Sequence, residues 1–164
     1  TTDENGYFTL NMPLSEGLNT FVFTHKGKTD VYNITREVQV IRDVSPTGNI
    51  SVDGGMPDNP RFALYGASYT CLLANKLDQP AEFPCSVVGR CCESGDIIQE
   101  HVLLPGSVGR GDILAVCTTG AYNYSMASNY NRLPRPPIVM LRGGNESYVA
   151  VRRESLEDLC RNDL

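Results

Sequence analysis

The sequence predicts a mainly β protein with only short helices, and two observations carry that expectation. Apolar and polar residues alternate over many short runs, which is the period of a half-buried strand. The 15 glycines and 10 prolines, together with Asn and Asp, punctuate those runs as turn residues do. Of the 164 residues, 41% are hydrophobic and 20% charged, the proportions of a folded domain rather than a disordered tail. No apolar run approaches the ~18–20 residues that span a bilayer. The net charge of −5 and the lack of any basic stripe beyond Arg152-Arg153 argue against a nucleic-acid surface. Neither nucleic acid nor membrane is therefore expected as a partner.

The elements follow in chain order. Tyr7–Met12 alternates, with Phe8, Leu10 and Met12 on one side. Thr20–Thr24 places Phe21 and Phe23 together, His25-Lys26-Gly27-Lys28 reads as a hairpin turn, and Thr29–Thr35 as the returning strand. Glu37–Ile41 is a further strand, with Val38 and Val40 assigned to one face. The stretch Asp43–Asn49, rich in Pro, Gly and small polar residues, is the expected domain boundary. Beyond it, Ile50–Val52 is a strand running into the turn Asp53-Gly54-Gly55, and Arg61–Ala67 is a short helical or irregular piece. Strands are expected at Tyr69–Asn75, Ser86–Cys91, Asp112–Thr118 and Ile138–Leu141, and Ser147–Arg152 alternates. The chain closes on a short helix over Ser155–Leu159, with Ser155 as its N-cap and Asp158 three residues on.

The six cysteines, Cys71, Cys85, Cys91, Cys92, Cys117 and Cys160, all follow residue 70. They form no CxxC pair and no metal-ligand rhythm with His25 or His101, so no metal site is expected. A chain of this length can build its own core without disulfide staples, so reduced thiols and a cytoplasmic location are the expectation. The opening Thr1–Asn5 has neither the basic nor the apolar block of a signal peptide, and no initiator Met.

Four clusters carry chemistry. The first is Ser51-Val52-Asp53-Gly54-Gly55-Met56, continued by Asp58-Asn59 and Arg61-Phe62-Ala63-Leu64-Tyr65. The second is Cys92-Glu93-Ser94-Gly95-Asp96. The third is Thr119-Gly120-Ala121-Tyr122, running on through Ser125–Asn131. The fourth is Pro134-Arg135-Pro136 with Arg152-Arg153-Glu154. In this order and near this spacing they resemble the C-terminal motifs of diaminopimelate decarboxylases over residues 50–164. The resemblance implies the C-terminal β-domain, barrel- or sandwich-like, of fold-type III pyridoxal-phosphate decarboxylases over residues 46–164. Residues 1–45 resemble, in texture, the last strands of an immunoglobulin-like module, and are expected to form a partial β segment of that kind.

The family resemblance also implies roles. Its members decarboxylate meso-2,6-diaminopimelate to lysine on pyridoxal phosphate, which stores the electrons while the protein orients groups and moves protons. Arg61 resembles the residue that holds a substrate carboxylate, for which a guanidinium fork is suited, and Tyr65 resembles its neighbour. Glu93 matches the distal ammonium of the substrate. Cys92 resembles the proton donor, a thiol whose acidity its surroundings tune. Tyr122 resembles the tyrosine that touches both cofactor and substrate. In the family the Cys-Glu loop completes the partner subunit's site, which implies a homodimer.

The family's N-terminal (β/α)₈ barrel, with its cofactor lysine and glycine-rich phosphate loop, has no counterpart here. The chain has three lysines, Lys26, Lys28 and Lys76, none in a matching strand, and no βαβ rhythm. The expectation is therefore half of a decarboxylase active site, inactive alone unless a barrel domain joins it. The alternative is a non-catalytic β-rich binding or surface module that retains decarboxylase motifs. A junction of two unrelated genes near residues 45–50 also stays open.

Overall fold

The computed structural model describes residues 19–25, 28–36, 38–142 and 146–164; the strand expected over Tyr7–Met12 lies outside them. Two strands, β1 (Asn19–His25) and β2 (Lys28–Arg36), pair antiparallel with His25 opposite Lys28, as the expected hairpin requires. The main body is a six-stranded sheet of β3 (Val38–Val44), β4 (Asn49–Val52), β5 (Cys71–Leu73), β6 (Ala81–Val88), β7 (Ile97–Pro105) and β8 (Ile113–Val116). Its spatial order is β5-β8-β3-β4-β6-β7. Every neighbouring pair is antiparallel except β4 and β6. The two outer strands, β5 and β7, meet, and the Tyr69 N–H donates to Gln99 Oε1 at 2.7 Å near that seam. The sheet is thus a nearly closed barrel, which leaves little free strand edge.

The barrel interior is filled from every strand. Ile41, Ile50, Leu73, Ile98, Leu104 and Leu114 are completely or almost completely buried, each contributing about 1.5–3 kcal/mol by burial. Cys71 and Cys85 lie in the same core. Burial pushes their thiols up, to about 12 and about 11 respectively, so both stay protonated at neutral pH.

Three sequence expectations change. Residues 43–49 do not end a fold: they connect β3 to its antiparallel neighbour β4, so the sheet runs across residue 45. The expected partial immunoglobulin-like segment over 1–45 finds no support, since its last strand, β3, lies between β8 and β4. On that strand Gln39 and Ile41 are buried and Val40 between them is half-buried, so the expected alternation holds with a polar glutamine at an inward position. Finally, β7 was not expected as a strand. Its burial slips phase, with Ile98 and Gln99 both buried in succession, and exposed His101 sits at φ 56°, an irregularity that breaks the period-two signal.

The remaining elements are short. Helix α1 covers Arg61–Tyr65 and α2 covers Asn123–Met126, followed by a 3₁₀ turn over Tyr130–Arg132. A hairpin of β9 (Ile138–Arg142) and β10 (Glu146–Val151) follows. Helix α3 (Leu156–Leu159) closes the chain with the expected capping box: Ser155 Oγ accepts from the Asp158 N–H and the Asp158 carboxylate accepts from the Ser155 N–H. No described helix is long and apolar enough to cross a membrane.

Candidate functional site

The turn after β4 builds the first half of the site. Asp53 Oδ1 accepts from the Val40 N–H at 2.7 Å, and Asp58 Oδ2 accepts from the Gly55 N–H at 3.1 Å. Buried Asn59 accepts from the Arg61 N–H at 3.4 Å, the local turn that Asn side chains favour. Helix α1 then makes little more than one turn, because Gly66 adopts the left-handed conformation at φ 63° and its N–H bonds Phe62 O at 2.8 Å. Four residues apart on this helix, Arg61 and Tyr65 share a face.

Tyr122 reaches the same face from the far side of the chain. Its backbone lies at φ 71°, ψ −39°, and the Asn123 N–H bonds Ala121 O at 3.0 Å across it. This is a γ-turn with a bulky residue at its strained centre, and strain of that kind is concentrated at functional positions. Tyr122 is 66% exposed. The Arg61 guanidinium lies 5.0 Å from its centroid and 5.5 Å from that of Tyr65, within cation–π range of both. Arg61 Nη1 also approaches Met126 Sδ at 3.9 Å. Among the described residues no carboxylate pairs with Arg61. An arginine held on aromatic faces keeps its donor fork available for a ligand's carboxylate.

The second half is the Cys91–Asp96 loop. Cys92 and Glu93 are exposed. Glu93 Oε1 accepts from the Gly95 N–H at 2.9 Å and from Ser94 Oγ at 3.3 Å, and no described cation pairs with it. Cys91 is half-buried; burial first, then the neighbouring Asp96, push its thiol up to about 12. No hydrogen bond, ion pair or ring contact joins Cys92 or Glu93 to Arg61, Tyr65 or Tyr122 among the described residues. Of the five expected site residues, three come together in one cluster and two stand on a separate loop.

Three features went unread in the sequence. Asp96 closes the second motif yet carried no assigned role; it is a buried carboxylate, 3% exposed, that accepts from two loops. Gly55 and Gly89 were its available signal, because they make room for it. Met126 supports Arg61 from a position with no chemical signature. Glu154 accepts two bonds from the Arg135 guanidinium, at 2.9 and 2.6 Å, and one from Asn129 Nδ2 at 2.6 Å. It thereby pins the segment that follows α2. Among the described residues no group of three His, Cys, Asp or Glu side chains gathers as a metal site.

Residues 20–120 match the model of the C-terminal sheet domain of pyridoxal-dependent decarboxylases. The diaminopimelate decarboxylase of Bacillus subtilis is 49% identical over 115 residues, covering 70% of this chain and 26% of that protein. The one from Staphylococcus aureus is 45% identical over 128 residues, 77% of this chain and 30% of that protein. The crystal structure of Helicobacter pylori diaminopimelate decarboxylase complexed with L-lysine superposes with a TM-score of 0.67 at 34% identity, over 76% of this chain and 30% of that one. The chain thus spans between a quarter and a third of the length of these relatives. The family match begins at residue 20 and takes in residues 20–45 of the stretch that had suggested an immunoglobulin-like module. With its nearly closed sheet and the motifs that ride on it, this chain belongs to the pyridoxal-dependent decarboxylases, as their C-terminal sheet domain.

Proposed function

We propose that the chain is the part of a cytoplasmic, homodimeric diaminopimelate decarboxylase that completes its active site, the whole enzyme converting meso-2,6-diaminopimelate to L-lysine and carbon dioxide. The observation that carries this reading is Arg61, a guanidinium 5.0 Å from the exposed Tyr122 ring with no carboxylate of its own among the described residues. It is poised to fork onto a substrate carboxylate through two parallel hydrogen bonds. Glu93, likewise without a described cation, takes the distal ammonium. Cys92 offers a proton from an exposed Sγ to the carbon that has lost carbon dioxide. The family resemblance supports a dimer in which each Cys92–Glu93 loop serves the other subunit's site, and no hydrogen bond, ion pair or ring contact joins Cys92 or Glu93 to Arg61 within one chain among the described residues.

Pyridoxal phosphate, when bound, supplies the electron sink for decarboxylation. The residues present fit one flank of it: Tyr122, exposed and rigidly held in its γ-turn, would lie against it. Among the described residues they do not include its anchor. Lys76 Nζ is tied to Asp112 Oδ2 at 2.7 Å and to Ser107 O at 2.7 Å, so its ammonium is already committed to a structural pair. A lysine from a barrel domain outside this chain is required, and the chain alone is inactive on this reading.

The test is a graft. This chain replaces the sheet domain of the Bacillus subtilis relative, and carbon dioxide release from meso-diaminopimelate is measured. The graft should turn over, and Arg61→Ala within it should lower kcat/KM by about a hundredfold or more. A folded, pyridoxal-phosphate-loaded graft without turnover would defeat the proposal, as would release of carbon dioxide by the chain alone.

A further inference from the structure

The sequence places two cysteines side by side at the head of the second motif, and the structure treats them differently. Asp96 is the reason. Its Oδ1 accepts from the Met56 N–H at 2.6 Å and its Oδ2 from the Cys91 N–H at 2.6 Å. The same carboxylate also opposes ionisation of the neighbouring Cys91 thiol. Around that carboxylate the backbone is joined twice more, with the Gly89 N–H on Asp96 O at 2.8 Å and the Arg90 N–H on Gly54 O at 3.2 Å. A methyl group on Gly55 would sit 2.8 Å from Asp96 Oδ1, and one on Gly89 would collide with both carboxylate oxygens. The two glycines therefore let backbone close around a buried negative charge from both sides.

We propose that Asp96 is the positioning residue of the Cys92–Glu93 loop: its carboxylate fastens that loop to the turn leading into Arg61, and withdraws Cys91 so that, of the adjacent pair, Cys92 presents the reactive thiol. The geometry does both jobs at once. By holding the Cys91 N–H, the carboxylate keeps the first cysteine against a buried charge, partly buried, and its neighbour stands exposed. The groups facing Cys91 are Asp96, Asp58 and Arg90; the two carboxylates oppose thiolate formation and Arg90 favours it, while burial adds to the carboxylates. Cys91 stays a thiol through the range in which an ordinary cysteine ionises. The inference deepens the assignment of Cys92 as proton donor and rests on it for its catalytic meaning.

The experiment is alkylation of the intact chain with iodoacetamide between pH 7 and 9, with each site read by mass spectrometry. Cys92 should react at least ~10-fold faster than Cys91 across this range, since the thiolate is the reactive form. In Asp96→Asn, whose amide donates where the carboxylate accepted, the ratio should collapse towards one, while circular dichroism reports the sheet intact. Comparable reactivity of the two cysteines in the unsubstituted chain would overturn the proposal, and this holds even if the variant fails to fold. A folded Asp96→Asn with an unchanged ratio would overturn it as well. The ratio reports on the loop alone, whereas the role of Cys92 in protonation is decided by turnover of the graft, so either can fail without the other.

Discussion

The six-stranded sheet and the C-terminal segment from Asn129 onward are held by different physics. The sheet surrounds aliphatic side chains from all six strands, with Ile41, Ile50 and Leu114 wholly buried. The C-terminal segment sends Leu141 inward, but residues 146–150 of β10 are all exposed. Its fastenings are charged: Arg135 with Glu154, Arg152 with Asp158, and Arg132 with Asp163. Apolar burial is non-directional and indifferent to pH, whereas a charge-assisted pair is directional and fails when one partner loses its charge. The difference matters for the site, because Tyr122 and Met126 lie where the two regions join. The Ser128 N–H bonds Pro57 O at 2.9 Å on the side of the turn, and Asn129 bonds Glu154 on the other.

The sharpest way to break this contrast is to empty the sheet. Ile41→Ala should destabilise the chain by about 2–5 kcal/mol, the cost of a buried cavity plus the lost transfer energy, read as a lower urea midpoint. Next in size is Glu154→Gln, which leaves the Arg135 fork without its carboxylate and should cost about 1 kcal/mol at this partly exposed site. Hydrogen exchange should show that loss in β10 and α3 while the sheet amides keep their protection.

Acid should mimic that substitution. The Arg135 hydrogen bonds hold the Glu154 carboxyl at about 2, below its ordinary 4.5. A depressed carboxyl contributes its full stabilisation above the unfolded value and loses it as pH falls towards the folded one. The C-terminal segment should therefore loosen between about pH 4.5 and 2, ahead of the sheet. Equal loss of protection in both regions over that window would contradict the contrast. The smallest effect belongs to Arg152→Ala. Its pair with Asp158 is on the surface, with Arg152 70% exposed, and surface pairs contribute little. Its urea midpoint should be indistinguishable from that of the parent chain.

How much of this was legible in the sequence depended on whether a residue's signal was local. Period-two runs gave β4 and the β1–β2 hairpin, continuous apolar runs gave β8 and β9, and the capping box of α3 was readable from Ser155 and Asp158. Strand β7 was not, because an irregularity at His101 destroys the alternation. The place of β3 in the sheet was not, because its neighbour β8 follows it by about seventy residues. In the site, Arg61, Tyr65 and Tyr122 could be named from their motifs, but their convergence required a γ-turn whose signature is one hydrogen bond. Asp96 was visible only as a letter in a motif: its burial, and the glycines that admit it, are properties of the folded chain.

The pairing of β3 with β8 has a consequence in time. A ribosome adding ~5–20 residues per second completes Val44 several seconds before it completes Val116, about seventy residues later. For that interval the Val38–Val40 edge of β3 lacks its β8 partner, and an unpaired strand edge is a template for intermolecular pairing. Nascent copies emerging from neighbouring ribosomes on one message would face each other at this stage, so slower synthesis across residues 45–112 should lower the soluble yield.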